Sequence, residues 1–282
     1  MMNFCLIWIA NLHPSDTLVK VTSVIANGQN INYTEDTNFT PLFLSYNDIF
    51  DEKNFPEMKF DAFKINLKPD FQPYAKRRQG KSRFSTWINL RSNLMKWNVL
   101  VLSSVHDHEE PSTWCHPIVI VPKKDSDELR ICIDFTRLNK FIQRKFYPSN
   151  SPFEAVTSIP AEELKYFCKF DARHGYWQIP LHPESRPLTC FITPFGRYVC
   201  NQAAFGISSI SECYNLRMDK VVNGLQGIRK IVDDVLVYAP TLSALKKRVH
   251  AFLDRCSKHG VTLKRSMSQI AVTEADFGGF HL

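Results

Sequence analysis

Two adjacent carboxylates, Asp233 and Asp234, lie between the apolar, largely β-branched runs Ile231-Val232 and Val235-Leu236-Val237. Neighbouring residues of a strand point to opposite faces, so a straight strand would bury one aspartate at high cost. A tight hairpin with both carboxylates at its tip avoids that cost, and such a tip is either a solvated turn or a reactive site. A third carboxylate bears on the choice. Phe167-Cys168-Lys169-Phe170-Asp171 reads as an apolar strand ending in a lone aspartate. Packed beside the hairpin, it brings three carboxylates together, and keeping all of them ionised is unfavourable without cations. Two divalent metals about 3.5–4 Å apart resolve the repulsion and build a phosphoryl-transfer site. Mg²⁺ suits hard oxygen ligands that are shared with phosphates; Mn²⁺ is the alternative.

The elements that must position these residues are legible in outline. Tyr166 to Asp171 reads as a strand, and Ile228 to Ala239 as strand, acidic turn, strand. Ile118–Val121 and Leu129–Ile133 form a hairpin around a polar tip, Lys123 to Asp127. Ser151-Pro152-Phe153-Glu154 is a capping box with proline in the first turn, and Ser209 to Glu212 is a second box, opening a helix through about Val222. Leu242, Leu245, Val249, Phe252, Leu253 and Cys256 mark an amphipathic helix, with Gly260 as its C′ residue. Trp87, Leu90, Leu94 and Trp97 predict another. Strands and helices mix without regular βαβ alternation, so the fold class is α+β rather than a doubly wound sheet. Residues 1–58 are polar, rich in Asn and Thr, and read as a leader or peripheral segment; residues 59–282 read as the folded domain.

Composition sets the class. Of 282 residues, 44% are hydrophobic, enough for a substantial core. The net charge of +7 suits a polyanionic partner without requiring one. The basic run Lys76, Arg77, Arg78 and Lys81 is either a solvated loop or a phosphate-backbone contact. Eight cysteines include no C-x-x-C pair and no zinc pattern, so they read as reduced, buried small hydrophobes of an intracellular protein. The apolar run Phe4–Ala10 is too short to span a bilayer, and no membrane partner is expected.

Several blocks, in order from about Phe60 to Leu282, resemble the reverse transcriptases of gypsy-type (Metaviridae) LTR retrotransposons. Cys115-His116-Pro117-Ile118-Val119-Ile120-Val121-Pro122-Lys123-Lys124 is similar to that family's SPIVVVPKK block, and Leu129 to Asp134 followed by Leu138-Asn139-Lys140 is similar to LRICIDxxxLNK. Phe170 to Leu181 resembles the first catalytic motif, and Val232-Asp233-Asp234 the last three positions of Y-x-D-D. Phe205-Gly206 and Phe277-Gly278-Gly279-Phe280-His281 resemble a nucleotide-contacting block and the primer-grip turn.

The resemblance implies a right-hand polymerase fold, fingers plus an antiparallel palm sheet backed by helices, with thumb and RNase H absent. It implies RNA-directed DNA polymerisation, with two ions on Asp171, Asp233 and Asp234 and the backbone of Ala172 helping. Lys123 and Arg130 would grip the triphosphate, a role that suits a point charge and a bidentate fork; each alone also fits a solvated hairpin charge. Tyr176 falls at the steric-gate position and would exclude a 2′-hydroxyl, although a core aromatic fits there too. Phe205 and Gly206 would contact nucleotide and template, and Ile231, Val232, Gly278 and Gly279 the primer. The implied partners are an RNA or DNA template with primer, deoxynucleoside triphosphates and the rest of a pol polyprotein. The implied location is a cytoplasmic retroelement particle or the nucleus.

The sequence departs from the pattern at named positions. Ile231 replaces the tyrosine of Y-x-D-D, Ala204 replaces a proline before Phe205-Gly206, and Ile210 to Asn215 replaces an APEIFQ-like run. These changes support a second reading, a catalytically weak or inactive nucleic-acid-binding remnant. An unrelated two-metal nuclease shares the carboxylates but leaves the hairpin and Tyr176 unexplained.

Overall fold

The computed structural model describes residues 38–51, 56–76, 91, 103–105, 112–122, 129–148 and 151–282. Helices are α1 (Thr40–Ser45), α2 (Thr136–Asn139), α3 (Pro152–Thr157), α4 (Ile210–Val222) and α5 (Leu242–His259). The strands are β1 (Ser103–Val105), β2 (His116–Pro122), β3 (Leu129–Ile133), β4 (Tyr166–Asp171), β5 (Phe191–Thr193), β6 (Gly196–Cys200), β7 (Ile228–Ile231), β8 (Asp234–Ala239), β9 (Gln269–Val272), β10 (Asp276–Phe277) and β11 (Phe280–His281). The chain divides into two compact units, one holding the described residues of Phe60–Tyr147 and Tyr176–Tyr214, the other those of Leu12–Lys59, Pro148–Gly175 and Asn215–Leu282. The mixed strand and helix order is α+β, as the sequence predicts.

In the first unit a five-stranded sheet runs β1-β6-β5-β2-β3. β2 and β3 form the expected antiparallel hairpin, in register from Ile118↔Ile133 to Pro122↔Leu129. β2 also pairs in parallel with β5, a long-range partner that no local pattern announces. Buried His116 anchors the start of β2, with Trp114 and Phe135 on either side at ring distances of 5.8 and 4.9 Å. Burial holds its pKa below the ordinary histidine range, so it is a neutral packing residue there.

In the second unit a wholly antiparallel sheet runs β7-β8-β4-β9. Period-two alternation gives β4 two apolar faces. Phe167 joins Leu236, Tyr238, Ala155 of α3 and Phe277 of β10 in one core cluster. Phe170 packs on the other face against Phe252 of α5, at 5.4 Å between ring centroids. α5 presents Leu245, Val249, Phe252, Leu253 and Cys256 to the interior, capped by the Thr241 hydroxyl and by Gly260 at φ 68°. A side chain at Gly260 would also meet the Glu57 carbonyl at 2.6 Å, so glycine serves both turn and packing.

Two local expectations change. Residues 39–50, read from sequence as part of a peripheral segment, bury Phe39, Leu42, Phe43, Ile49 and Phe50. Phe43 lies 6.2 Å from Phe170, and the Leu263 N–H donates to the Ile49 carbonyl at 2.9 Å. A six-residue helix is too short to show periodicity, so its aromatic spacing carried no signal. The Ser151 box forms, with Glu154 N–H donating to the Ser151 hydroxyl at 3.2 Å and Ser151 N–H to Glu154 at 2.9 Å. The Ser209 box does not form: Glu212 instead accepts from Arg144 and from the Ser211 hydroxyl. The predicted helix around Trp87 to Trp97 falls almost entirely outside the described residues.

Candidate active site

β4 and β8 lie antiparallel with Phe170↔Val235 and Asp171↔Asp234 as partners. Side chains directly opposite in an antiparallel pair point to one face, so the two carboxylates share the face that carries Phe167 and Leu236 further back. Asp234 opens β8 opposite Ile231, which leaves Val232 and Asp233 as the two residues of the turn. Val232 has φ 52°, and among these two only it is left-handed, as at the first central position of a type II′ hairpin turn. A β-branched residue there is strained. The Ala172 N–H donates to the Asp233 carbonyl at 2.9 Å, which ties the turn to the end of β4. Asp171, Asp233 and Asp234 are thus gathered where β4 ends and the β7–β8 turn begins.

The local electrostatics are those of crowded acids with cations alongside. The Asp171 carboxyl is held above the ordinary aspartate value, first by burial and then by the charge of Asp234; Lys264 and Lys169 pull it back. Lys169 Nζ lies 3.4 Å from Asp234 Oδ2 and donates to the Asp276 carbonyl at 2.9 Å. Neither lysine was singled out from sequence. His174, three residues past Asp171, has φ 48°, and burial followed by Arg173 and Lys264 lowers its pKa to about 4, so it is neutral at pH 7.

Among the described residues, no three His, Cys, Asp or Glu side chains are arranged as they stand to hold a metal ion. The donor set nevertheless suits a hard divalent cation: all-oxygen ligands, two of them paired across a ladder, one with a pKa raised by burial and by its partner's charge. A bound cation would oppose that shift by favouring the ionised carboxylates.

Behind the turn, Gly278 and Gly279 join β10 to β11, both left-handed at φ 61° and 86°. A Cβ on Gly278 would meet Ile231 Cδ1 at 2.5 Å and Pro152 Cβ at 3.1 Å, whereas one on Gly279 would meet nothing within 4 Å. Ile231, Val232, Gly278 and Gly279 therefore belong to the same unit as the three aspartates and Ala172.

Of the remaining predicted residues, Arg130, Tyr176, Phe205 and Gly206 belong to the first unit. The Tyr176 ring lies 4.7 Å from Phe205 and 5.5 Å from Tyr214, so it is half-buried in an aromatic cluster. Asn139 holds the neighbouring loop at both ends of its amide: Nδ2 donates to the Gly206 carbonyl at 2.7 Å and Oδ1 accepts from Ser208 N–H at 3.0 Å. Asn139 was legible only as a letter of the Leu-Asn-Lys block. Arg130 sits in β3 opposite Val121. Lys123 and the rest of the hairpin tip lie outside the described residues, as do Arg77, Arg78 and Lys81. Among the described residues, no helix is long and apolar enough to cross a membrane.

A family model described as reverse transcriptase (RNA-dependent DNA polymerase) matches residues 121–282. The enzymatic polyprotein of cauliflower mosaic virus (strain D/H) is 28% identical over 161 residues, 57% of this chain and 24% of that protein. The genome polyprotein of petunia vein clearing virus is 26% identical over 172 residues, 60% of this chain and 8% of that protein. The chain thus spans about a quarter or less of these curated relatives. A foamy viral protease-reverse transcriptase in complex with an RNA/DNA hybrid shares the fold at TM-score 0.78 and 18% identity, over 89% of this chain and 33% of that one.

Proposed function

The chain belongs to the reverse transcriptase (RNA-dependent DNA polymerase) family, and on that premise we propose that it carries an RNA-directed DNA polymerase site which transfers nucleotides to a primer 3′-hydroxyl. The observation that carries this reading is the pairing of Asp171 with Asp234 across β4 and β8, with Asp233 in the adjoining turn. Asp171, Asp233 and Asp234 would hold two Mg²⁺ or Mn²⁺ ions, which when bound supply Lewis acidity to the primer hydroxyl and to the leaving pyrophosphate. The protein's own part is positioning. β4 and β8 fix the carboxylates, the Ala172 N–H fixes the turn, and Lys169 and Lys264 limit the repulsion between the acids before substrate arrives. Tyr176, Phe205 and Gly206 would meet the incoming nucleotide, with Tyr176 as gate against a 2′-hydroxyl, and Lys123 and Arg130 would grip its phosphates. Ile231, Val232, Gly278 and Gly279 would line the primer end.

In this reading residues 59–282 are the fingers and palm, with residues 39–50 packed as part of the palm rather than as a leader. The substrates are a primed RNA or DNA template and deoxynucleoside triphosphates. The element is of the gypsy type, supported by the ordered blocks from Cys115 to His281, and its pol polyprotein would act in a cytoplasmic particle or the nucleus. One observation favours a second reading, a non-polymerising remnant: Ile231 stands where the family places tyrosine, and its side chain fills the space beside Gly278.

The test is extension of a DNA primer on an RNA template by the purified chain, with Mg²⁺ or with EDTA. Template-ordered, Mg²⁺-dependent addition supports polymerisation. A folded chain that adds nothing supports the remnant, and metal-dependent cleavage without addition points to a nuclease.

A further inference from the structure

The sheet of the first unit holds a thiol pair that polymerisation does not use. Cys115 and Cys190 immediately precede His116 and Phe191, which are parallel partners of β2 and β5. They therefore sit side by side on neighbouring strands and point to the same face, opposite to that of His116 and Phe191. The His116 N–H donates to the Cys190 carbonyl at 2.8 Å and fixes the spacing on one side. On the other side the Cys115 N–H donates to the Tyr74 carbonyl and the Lys76 N–H to the Cys115 carbonyl, each at 2.8 Å. Neighbouring strands lie about 4.7–4.9 Å apart, inside the range of about 4.4–6.8 Å between Cα atoms that a disulfide spans.

The side chains already touch. Cys115 and Cys190 are hydrogen-bonded to one another and pack with Val199 and Ile192. Both cysteines are buried, at 2% and 0% exposure, and neither is in a disulfide. Their chemistry is unequal. The Cys115 hydrogen bond lowers the Cys190 pKa against the opposing effect of burial, and the Arg197 guanidinium adds to it. Cys115 moves the other way, because it keeps the shared proton. Burial instead pushes Cys168 and Cys200 up to about 12. Two thiols in contact on neighbouring strands, at a spacing a disulfide spans, are a pair that one oxidation can link.

We propose that Cys115 and Cys190 are a peroxide-oxidisable pair that closes to a disulfide. The Cys190 thiolate attacks hydrogen peroxide, forming a sulfenic acid and releasing hydroxide. That hydroxide takes up the proton Cys190 gave to solvent and becomes water. The Cys115 sulfur then attacks the sulfenic sulfur, the S–O bond breaks, and the departing hydroxyl leaves as a second water with the Cys115 proton. Two thiols are oxidised and one peroxide is reduced. The new bond joins the start of β2, the strand that leads to the Lys123 hairpin tip, to the start of β5.

The folded chain is exposed to a small molar excess of hydrogen peroxide, remaining thiols are alkylated, and the digest is mapped by mass spectrometry without reductant. The expected result is a linked pair of peptides containing Cys115 and Cys190, released by dithiothreitol and retained in Cys200→Ala. In Cys115→Ser, dimedone should trap Cys190 as its sulfenic acid; if that variant does not fold, the map of the parent decides. Recovery of Cys190 alkylated or as sulfinic acid without a link, or linked to Cys200, overturns the proposal.

Discussion

Asp171 and Asp234 are direct cross-strand partners of β4 and β8, and the Lys169 ammonium lies 3.4 Å from Asp234. Like charges directly opposite on a ladder are destabilising. The palm sheet therefore carries a cost at its site end that folding alone gives no reason to keep, and burial together with the Asp234 charge raises the Asp171 pKa there.

That cost has a sign that can be measured. The folded Asp171 pKa lies above the ordinary 3.8, so the native state binds more protons than the unfolded chain between the two values. Stability from this group is thus lost as pH rises through that window and stays lost above it. Asp171→Asn removes the titration. The melting temperature of the variant minus that of the parent should grow as pH rises through the carboxylate range and then level off, with the variant at least as stable as the parent at pH 7. A variant clearly less stable at pH 7 would mean that Asp171 is held by favourable partners instead.

Val232 tests whether the turn is strained. Left-handed, non-glycine backbone costs about 1–3 kcal/mol, and glycine gives back roughly 0.5–1 kcal/mol in chain entropy. Val232→Gly should therefore raise the denaturation midpoint, with a net gain of about 1 kcal/mol. A loss of stability would show that the exposed Val232 side chain makes contacts worth more than the strain.

Much of this site was readable because it is local. The strand ending at Asp171, the β7–β8 turn, the β2–β3 hairpin and the Gly260 cap all follow from patterns within about a dozen residues. What escaped depends on distant chain. Lys169 carries no signal of its own in the sequence, because its partner Asp234 arrives from a distant strand. Phe43 meets Phe170 far along the sequence, and the parallel pairing of β2 with β5 has no local code. Ser209 failed as a cap because Arg144, from another element, took Glu212.

Asn139 carries the Phe205-Gly206 loop by two hydrogen bonds, to Gly206 and Ser208. Asn139→Ala leaves both backbone groups seeking partners and should cost about 1–3 kcal/mol, read by chemical denaturation. If the loop positions the nucleotide as proposed, the variant should also raise the KM for deoxynucleotide more than it lowers kcat. An unchanged KM would detach that loop from nucleotide binding.

The two glycines of the β10–β11 turn should respond unequally. Gly279→Ala meets open space and carries only the backbone penalty, about 1 kcal/mol. Gly278→Ala adds the approach to Ile231 and Pro152 and should cost at least twice that. Ile231→Val removes the nearest atom, Cδ1, so the double variant should lose less than the sum of the singles. Additive losses, measured by denaturation, would show that Pro152 alone sets the clearance.

The central claim is that the paired carboxylates perform the transfer. Single-nucleotide incorporation by Asp234→Asn and by the parent, in Mg²⁺ and with folding checked by circular dichroism, tests it most directly. Removing one ligand charge should lower incorporation by about 10²-fold or more, corresponding to about 3 kcal/mol or more of lost stabilisation, while the variant stays folded. Parent-level incorporation by a folded Asp234→Asn would contradict the assignment of the site.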